Sequence, residues 1–198
     1  MSSDLARLPG SVAHTLSRMR GVWHEHIDLF DPAGRPLAED AHSGSPGPSP
    51  YERLVYIDFD GESYRQTNVS CAGRPLEVRT FRGALREGVL VFDRLGPDAP
   101  EHIGVSAGPD AIVFCAREVD SAWQRYSEPD FIVLYGGGKR TRTTVLWRDG
   151  VVRRSLRAEG VQLSTRADRR ASFDPRGPEG DVHDRPLPTR VFTTEKDR

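Results

Sequence analysis

Residues 21–30 read GVWHEHIDLF, and the pattern inside them separates two faces. Side chains alternate across a β-strand. On that reading Trp23, Glu25, Ile27 and Leu29 share one face, while Val22, His24, His26 and Asp28 share the other. The stretch just before it has a different period. In SVAHTLSRM, residues 11–19, Val12, Leu16 and Met19 fall at helical spacing. Ser11 is a natural N-cap, and Gly21 can take the left-handed conformation that ends a helix. The chain therefore passes from a short helix into a strand at Gly21.

Downstream, short apolar or alternating bursts are separated by turn chemistry such as DPAGRP, DGES, CAGRP, LGPDAP and AGPD. Strands are expected at 22–30, 51–59, 62–70, 75–82, 88–94, 101–106, 110–118, 130–136, 140–148 and 151–158. Asp149-Gly150 reads as a type I′ hairpin turn between TTVLW and VVRRSL. Close spacing of this many strands predicts an all-β sandwich or barrel. The expected division is a helical segment over 1–20, a β-barrel over 21–164 and a polar tail over 165–198, with a Pro/Gly/Ser loop at 37–50.

Composition removes several classes. No run of about 18 apolar residues is present, so no membrane-spanning helix is expected. MSSDLARLPGSV lacks the basic patch and apolar stretch of a signal peptide, which points to a cytoplasmic protein. A formal net charge of -1 offers nucleic acid no general attraction. Cys71 and Cys115 lie in no CxxC motif and read as free thiols. YGGGKRT, 135–141, is not a phosphate loop: Val133 stands where a glycine is needed, and Arg140 follows the lysine where Ser or Thr is required. Its glycines read as a bulge or sharp bend.

The short helix, the Gly21-Val22-Trp23 strand opening and the antiparallel meander resemble the calycin superfamily, in particular bacterial lipocalin-like, fatty-acid-binding-protein-like barrels. The resemblance covers about residues 11–160. It implies an up-and-down antiparallel barrel in which Gly21 and Trp23 form the closed base. It also implies an arginine from the last strand packed over the indole, here Arg157 or else Arg154. A late-barrel histidine of the kind haem-binding calycins need is missing after His102, so haem is not expected.

If Trp23 faces the barrel interior, as the resemblance implies, Glu25 does too. A buried carboxylate is costly unless paired or protonated. Burial alone would raise its pKa into a range useful for acid/base catalysis. An ion pair with an inward arginine such as Arg79 or Arg142 is the alternative. Glu25 and Tyr64 are thus the catalytic candidates. Tyr64, Gln66 and Asn68 alternate in YRQTN and could form a hydrogen-bonding wall for a ligand, or belong to an exposed edge strand. Trp123 and Tyr126 stand in a connection and are candidates for a lid over the barrel mouth, or else pack on the barrel exterior, the reading favoured here. His24 and His26 leave one face together, as a metal chelate requires, but nothing in the spacing of Asp28 or His102 completes the site. No metal and no cofactor is expected. Arg140 and Arg142 alternate in a basic segment that reads as a solvated outer face.

These readings give a protein binding a small hydrophobic or amphipathic molecule. A lipocalin-like isomerase or cyclase and a protein-interaction module with a filled barrel are the alternatives. No nucleic acid or membrane partner is expected, and a homodimer is compatible with the sequence.

Overall fold

The computed structural model describes residues 8–37, 50–70, 77–94, 100–117 and 126–166. One helix, α1 (Val12–Met19), precedes β1 (Gly21–Phe30), β2 (Tyr51–Phe59), β3 (Ser63–Ser70), β4 (Glu77–Arg86), β5 (Val89–Phe92), β6 (His102–Gly108) and β7 (Ala111–Ala116). There follow β8 (Tyr126–Ser127), β9 (Asp130–Tyr135), β10 (Lys139–Arg148) and β11 (Val151–Ser164).

Local chemistry explains the joins. The Ser11 side chain caps α1 by accepting from the His14 amide at 3.1 Å. Gly21 has a φ of 121°. A Cβ there would run into the Ser164 carbonyl, so glycine is required twice over where β1 meets β11. Asp149 and Gly150 both have positive φ, at 55° and 73°, as a type I′ turn demands. The glycines at 136–138 join β9 to β10, with Gly137 and Gly138 at positive φ; they form a hairpin turn rather than a bulge within a strand.

Consecutive strands pair antiparallel from β1 to β7; β7 then pairs with β9, β9 with β10, and β10 with β11. Because β11 also pairs with β1, the sheet closes into a ten-stranded antiparallel barrel. The two-residue β8 adds only to the end of β10. Closure removes the free edges that an open sheet would expose.

Helix α1 sits at one end of this barrel. Leu16 and Met19, both fully buried, pack in one cluster with Trp23, Ile57, Leu90 and Ile112. Burying such a side chain is worth about 1.5–3 kcal/mol. Arg18 pairs with Asp110, and the Ser106 hydroxyl bonds the Gly10 carbonyl, fixing the helix to β6 and β7. A second apolar cluster of Ile27, Leu29, Tyr51 and Ala158 lies further along β1. No described helix is long and apolar enough to cross a membrane. The segment expected to be a polar tail lies, beyond residue 166, outside the described residues.

Candidate functional site

The inner face of β1 carries Trp23, Glu25, Ile27 and Leu29, all buried, and its outer face carries the two histidines. Trp23 is 1% exposed and donates from Nε1 to the Met19 carbonyl at 2.7 Å. Its indole is thereby tied to the C-terminus of α1. The guanidinium of Arg140 lies 4.5 Å from the Trp23 ring centroid. This is a cation–π contact in a desolvated setting, where such contacts are strongest.

The stacked cation is therefore not Arg157 or Arg154. Alternation along β11 sends Arg157 outward, where it meets Asp28 at 3.1 Å. Arg154 sits opposite Leu146, while Trp23 is level with Gln162. Arg140 reaches the indole from β10 because Gly160 intervenes. A Cβ on Gly160 would lie 2.9 Å from Arg140 Cγ and 3.4 Å from Glu25 Cγ. The glycine leaves room for both side chains to cross β11.

Glu25 is 1% exposed. Its Oε1 accepts from Arg140 Nη2 at 2.8 Å, and its Oε2 lies 3.7 Å from Arg142 Nη2. Arg142 continues the chain by donating from Nη1 to Asp130 Oδ1 at 3.0 Å, and the Thr144 hydroxyl bonds the same oxygen. Burial pushes the Glu25 carboxyl up, but Arg140, Arg142 and Arg53 outweigh it and hold the pKa down at about 2. Burial opposes the charge on Arg142 too; Asp130 and Glu25 reverse that and raise its pKa. On Arg140 burial prevails over Glu25 and lowers the pKa. Glu25 is thus a fixed anion. Of the two partners named from sequence, Arg142 is within reach and Arg79 is exposed. The expectation that Arg140 and Arg142 form a solvated outer face is overturned: they are 3% and 11% exposed and face inward.

Strand β3 contributes a polar ladder. The Tyr64 hydroxyl donates to Gln66 Oε1 at 2.6 Å, and Gln66 Nε2 donates to Asn68 Oδ1 at 2.9 Å. Tyr64 is buried and packs edge-on against Phe92 and Phe114. Burial raises its phenol pKa well above the ordinary value, so it remains a neutral donor. β3 pairs on both sides, with β2 and β4, which removes the exposed-edge alternative for YRQTN. Arg53, level with Glu25 on the neighbouring β2, donates from Nη2 to the Tyr51 hydroxyl at 2.9 Å.

On the outer face, Glu52 lies between the two histidines: its Oε1 accepts from His26 Nδ1 at 2.8 Å, and its Oε2 lies 2.8 Å from His24 Nε2. Among the described residues no group of three or more His, Cys, Asp or Glu could hold a metal ion. Trp123 lies outside the described residues, as does Cys71; Tyr126 is described by its backbone alone, paired with Arg148.

Sequence reading missed Arg140 as the ring partner, and Arg53, Asp130 and Thr144 altogether. One signal was available. A lone carboxylate on an apolar strand face calls for an interior cation. KRTRTT, polar on both faces, hides which arginines supply it.

No family model and no curated protein matches the sequence. Solved structures do match in fold. One is a protein of unknown function of the DUF3598 family from Nostoc punctiforme, at TM-score 0.57 and 14% identity. That match covers 75% of this chain and 49% of the other, so the chain spans about half the length of that relative. Another is the S-type phycobiliprotein lyase CPES from Guillardia theta, at TM-score 0.56 and 12% identity, covering 83% of this chain and 98% of the lyase. The shared property is the fold, a closed antiparallel barrel.

Proposed function

We propose that this protein binds a small amphipathic molecule inside its barrel. The observation that carries the reading is the uneven interior. Apolar clusters lie at the α1 end and further along β1, and beside them the inner faces carry polar groups: Tyr64, Gln66 and Asn68 on β3, and Arg53 and Arg142 near Glu25. Ligand sites of this kind combine apolar lining with a few placed polar groups. A barrel of this strand number can in principle enclose one small molecule. The likeness to the lyase, at 12% identity, supports the scaffold and not a reaction. Glu25 is paired and ionised, which favours binding over a general acid/base role for this residue.

Native mass spectrometry of protein purified from its own cells tests the reading. The expected result is an excess mass of small-molecule size that is lost on denaturation. The mass of the bare chain under both conditions would count for a barrel filled by its own side chains.

A further inference from the structure

The outside of the barrel is not uniform. On β11, β1 and β2 the outward side chains are rich in titratable groups, among them Arg157 and Glu159, His26 and Asp28, and Glu52 and Asp58. On the far side, across β5, β6, β7 and β9, the described outward positions carry no charge. Leu90, Ile112, Phe114, Ile132 and Leu134 set the inner face of these strands, all within the core. Alternation turns their neighbours outward. Val105, Val113 and Phe131 then stand side by side in register on β6, β7 and β9. Ile103 and Val91 extend this face towards β5, and Val133 and Tyr135 extend it along β9. Phe131 is 43% and Tyr135 49% exposed, and the valines and Ile103 are half-buried.

A contiguous apolar patch on an outer surface marks an interaction site. What fits this one follows from its charge. An ion pair closes the patch at each end of β6 and β7, Arg117–Glu101 at one end and Arg18–Asp110 at the other. Towards β10 it meets Thr141 and Thr143, with Lys139 at the corner beside Tyr135. An anionic membrane surface is held by a cluster of basic residues, whereas the arginines at these two ends are already held by acids. A different protein is selected by placed charges that complement its own, and the centre of this face has none. The face is complementary to another neutral, apolar, pleated surface, and a copy of itself is one. Two such sheet faces pack about 10 Å apart with their strands about 30° from parallel. Phe and Tyr are also among the residue types enriched at interfaces. With strands about 4.8 Å apart and outward residues about 7 Å apart, the face measures roughly 15 Å by 15 Å. That is the apolar core of a small interface, which forms reversibly at micromolar concentration.

We infer that this face joins two copies of the chain in a two-fold dimer, with Val113 and Phe131 near the axis. The inference is independent of what the barrel interior holds.

Sedimentation equilibrium of the full chain tests it. The average mass is expected to rise from 22.1 kDa towards twice that value between about 1 and about 200 µM. Val113→Lys and Val113→Glu each set like charges against one another and weaken the dimer by about a hundred-fold or more. An equimolar mixture of the two restores it, as only a face that meets its own copy can. Asp58→Lys, on the charged side of the barrel, leaves the dimer intact. Phe131→Lys and Phe131→Glu serve as the pair should the Val113 variants not fold. A monomer mass at every concentration overturns the inference and leaves the face to another segment of the chain or to a different protein. A dimer that survives the lysine variants overturns it too, since it uses another surface, as does a mixture that stays monomeric.

Discussion

Glu25 and His26 are neighbours in the chain and face opposite sides of the sheet. Glu25 points into the barrel, is 1% exposed, and meets two arginines from β10. His26 points outward, its side chain 49% exposed, and shares Glu52 with His24. The inner distances resemble the outer ones, at 2.8 Å for Arg140–Glu25 and 2.8 Å for His26–Glu52. The consequences differ because water screens the outer pair and not the inner one. A distance alone therefore says little about what an ion pair does. On β1 the same separation fixes a charge state inside and only tunes a histidine outside.

Removing the inner cation tests this most severely. Arg140→Ala leaves Glu25 short of its nearest partner and removes the cation from Trp23. Deleting one partner of a buried pair costs roughly 3–5 kcal/mol. Urea denaturation at neutral pH reads the loss; a cost below about 1 kcal/mol would place the inner pair in the same class as the outer one.

A pH series asks the same question of the anion. Glu25 has a folded pKa of about 2 against an ordinary 4.5. A depressed carboxylate contributes stability that is complete above its unfolded value and is lost as the pH falls through the folded one. The window here is therefore from about 4.5 down to about 2. The shift corresponds to ~3 kcal/mol. Glu25→Gln removes that dependence, so its stability profile is flatter than the wild type's over this window. Parallel profiles for the two proteins would contradict the assignment.

The outer face gives the smallest effect. The hydrogen bond that His26 donates to Glu52 raises the His26 pKa above 6.5, against an opposing contribution from burial. A raised histidine contributes stability that is present below its unfolded value of 6.5 and lost as the pH rises through the folded one. For an exposed pair this amounts to less than about 1 kcal/mol. Glu52→Gln moves the His26 titration, followed by NMR of the ring protons, back toward 6.5 with little change in melting temperature. An unmoved midpoint would detach His26 from Glu52.

The legible parts of the sequence are those governed by local physics. Helix α1 and its Ser11 cap, the φ reversal at Gly21 and the Asp149-Gly150 turn each depend on a few adjacent residues. The two faces of β1 were legible because one is apolar. The faces of β3 and β10 were not, since YRQTN and KRTRTT are polar on both sides and alternation then carries no direction. The two-residue β8, too short for any periodicity, was also missed, and β11 runs on to Ser164 past its expected end at 158.

The sequence by itself determined that this chain is an antiparallel β protein led by a short helix, and that Glu25 lies on an apolar strand face in need of a partner. Turn chemistry and period are enough for that. Only the tertiary structure decided that the partner is Arg140, 115 residues away, and that this same arginine, not Arg157, covers Trp23. The register of β10 and β11 is set by barrel closure, and the gap at Gly160 exists only once those strands lie together. Both are cooperative properties of the closed sheet, which no single stretch of the chain contains.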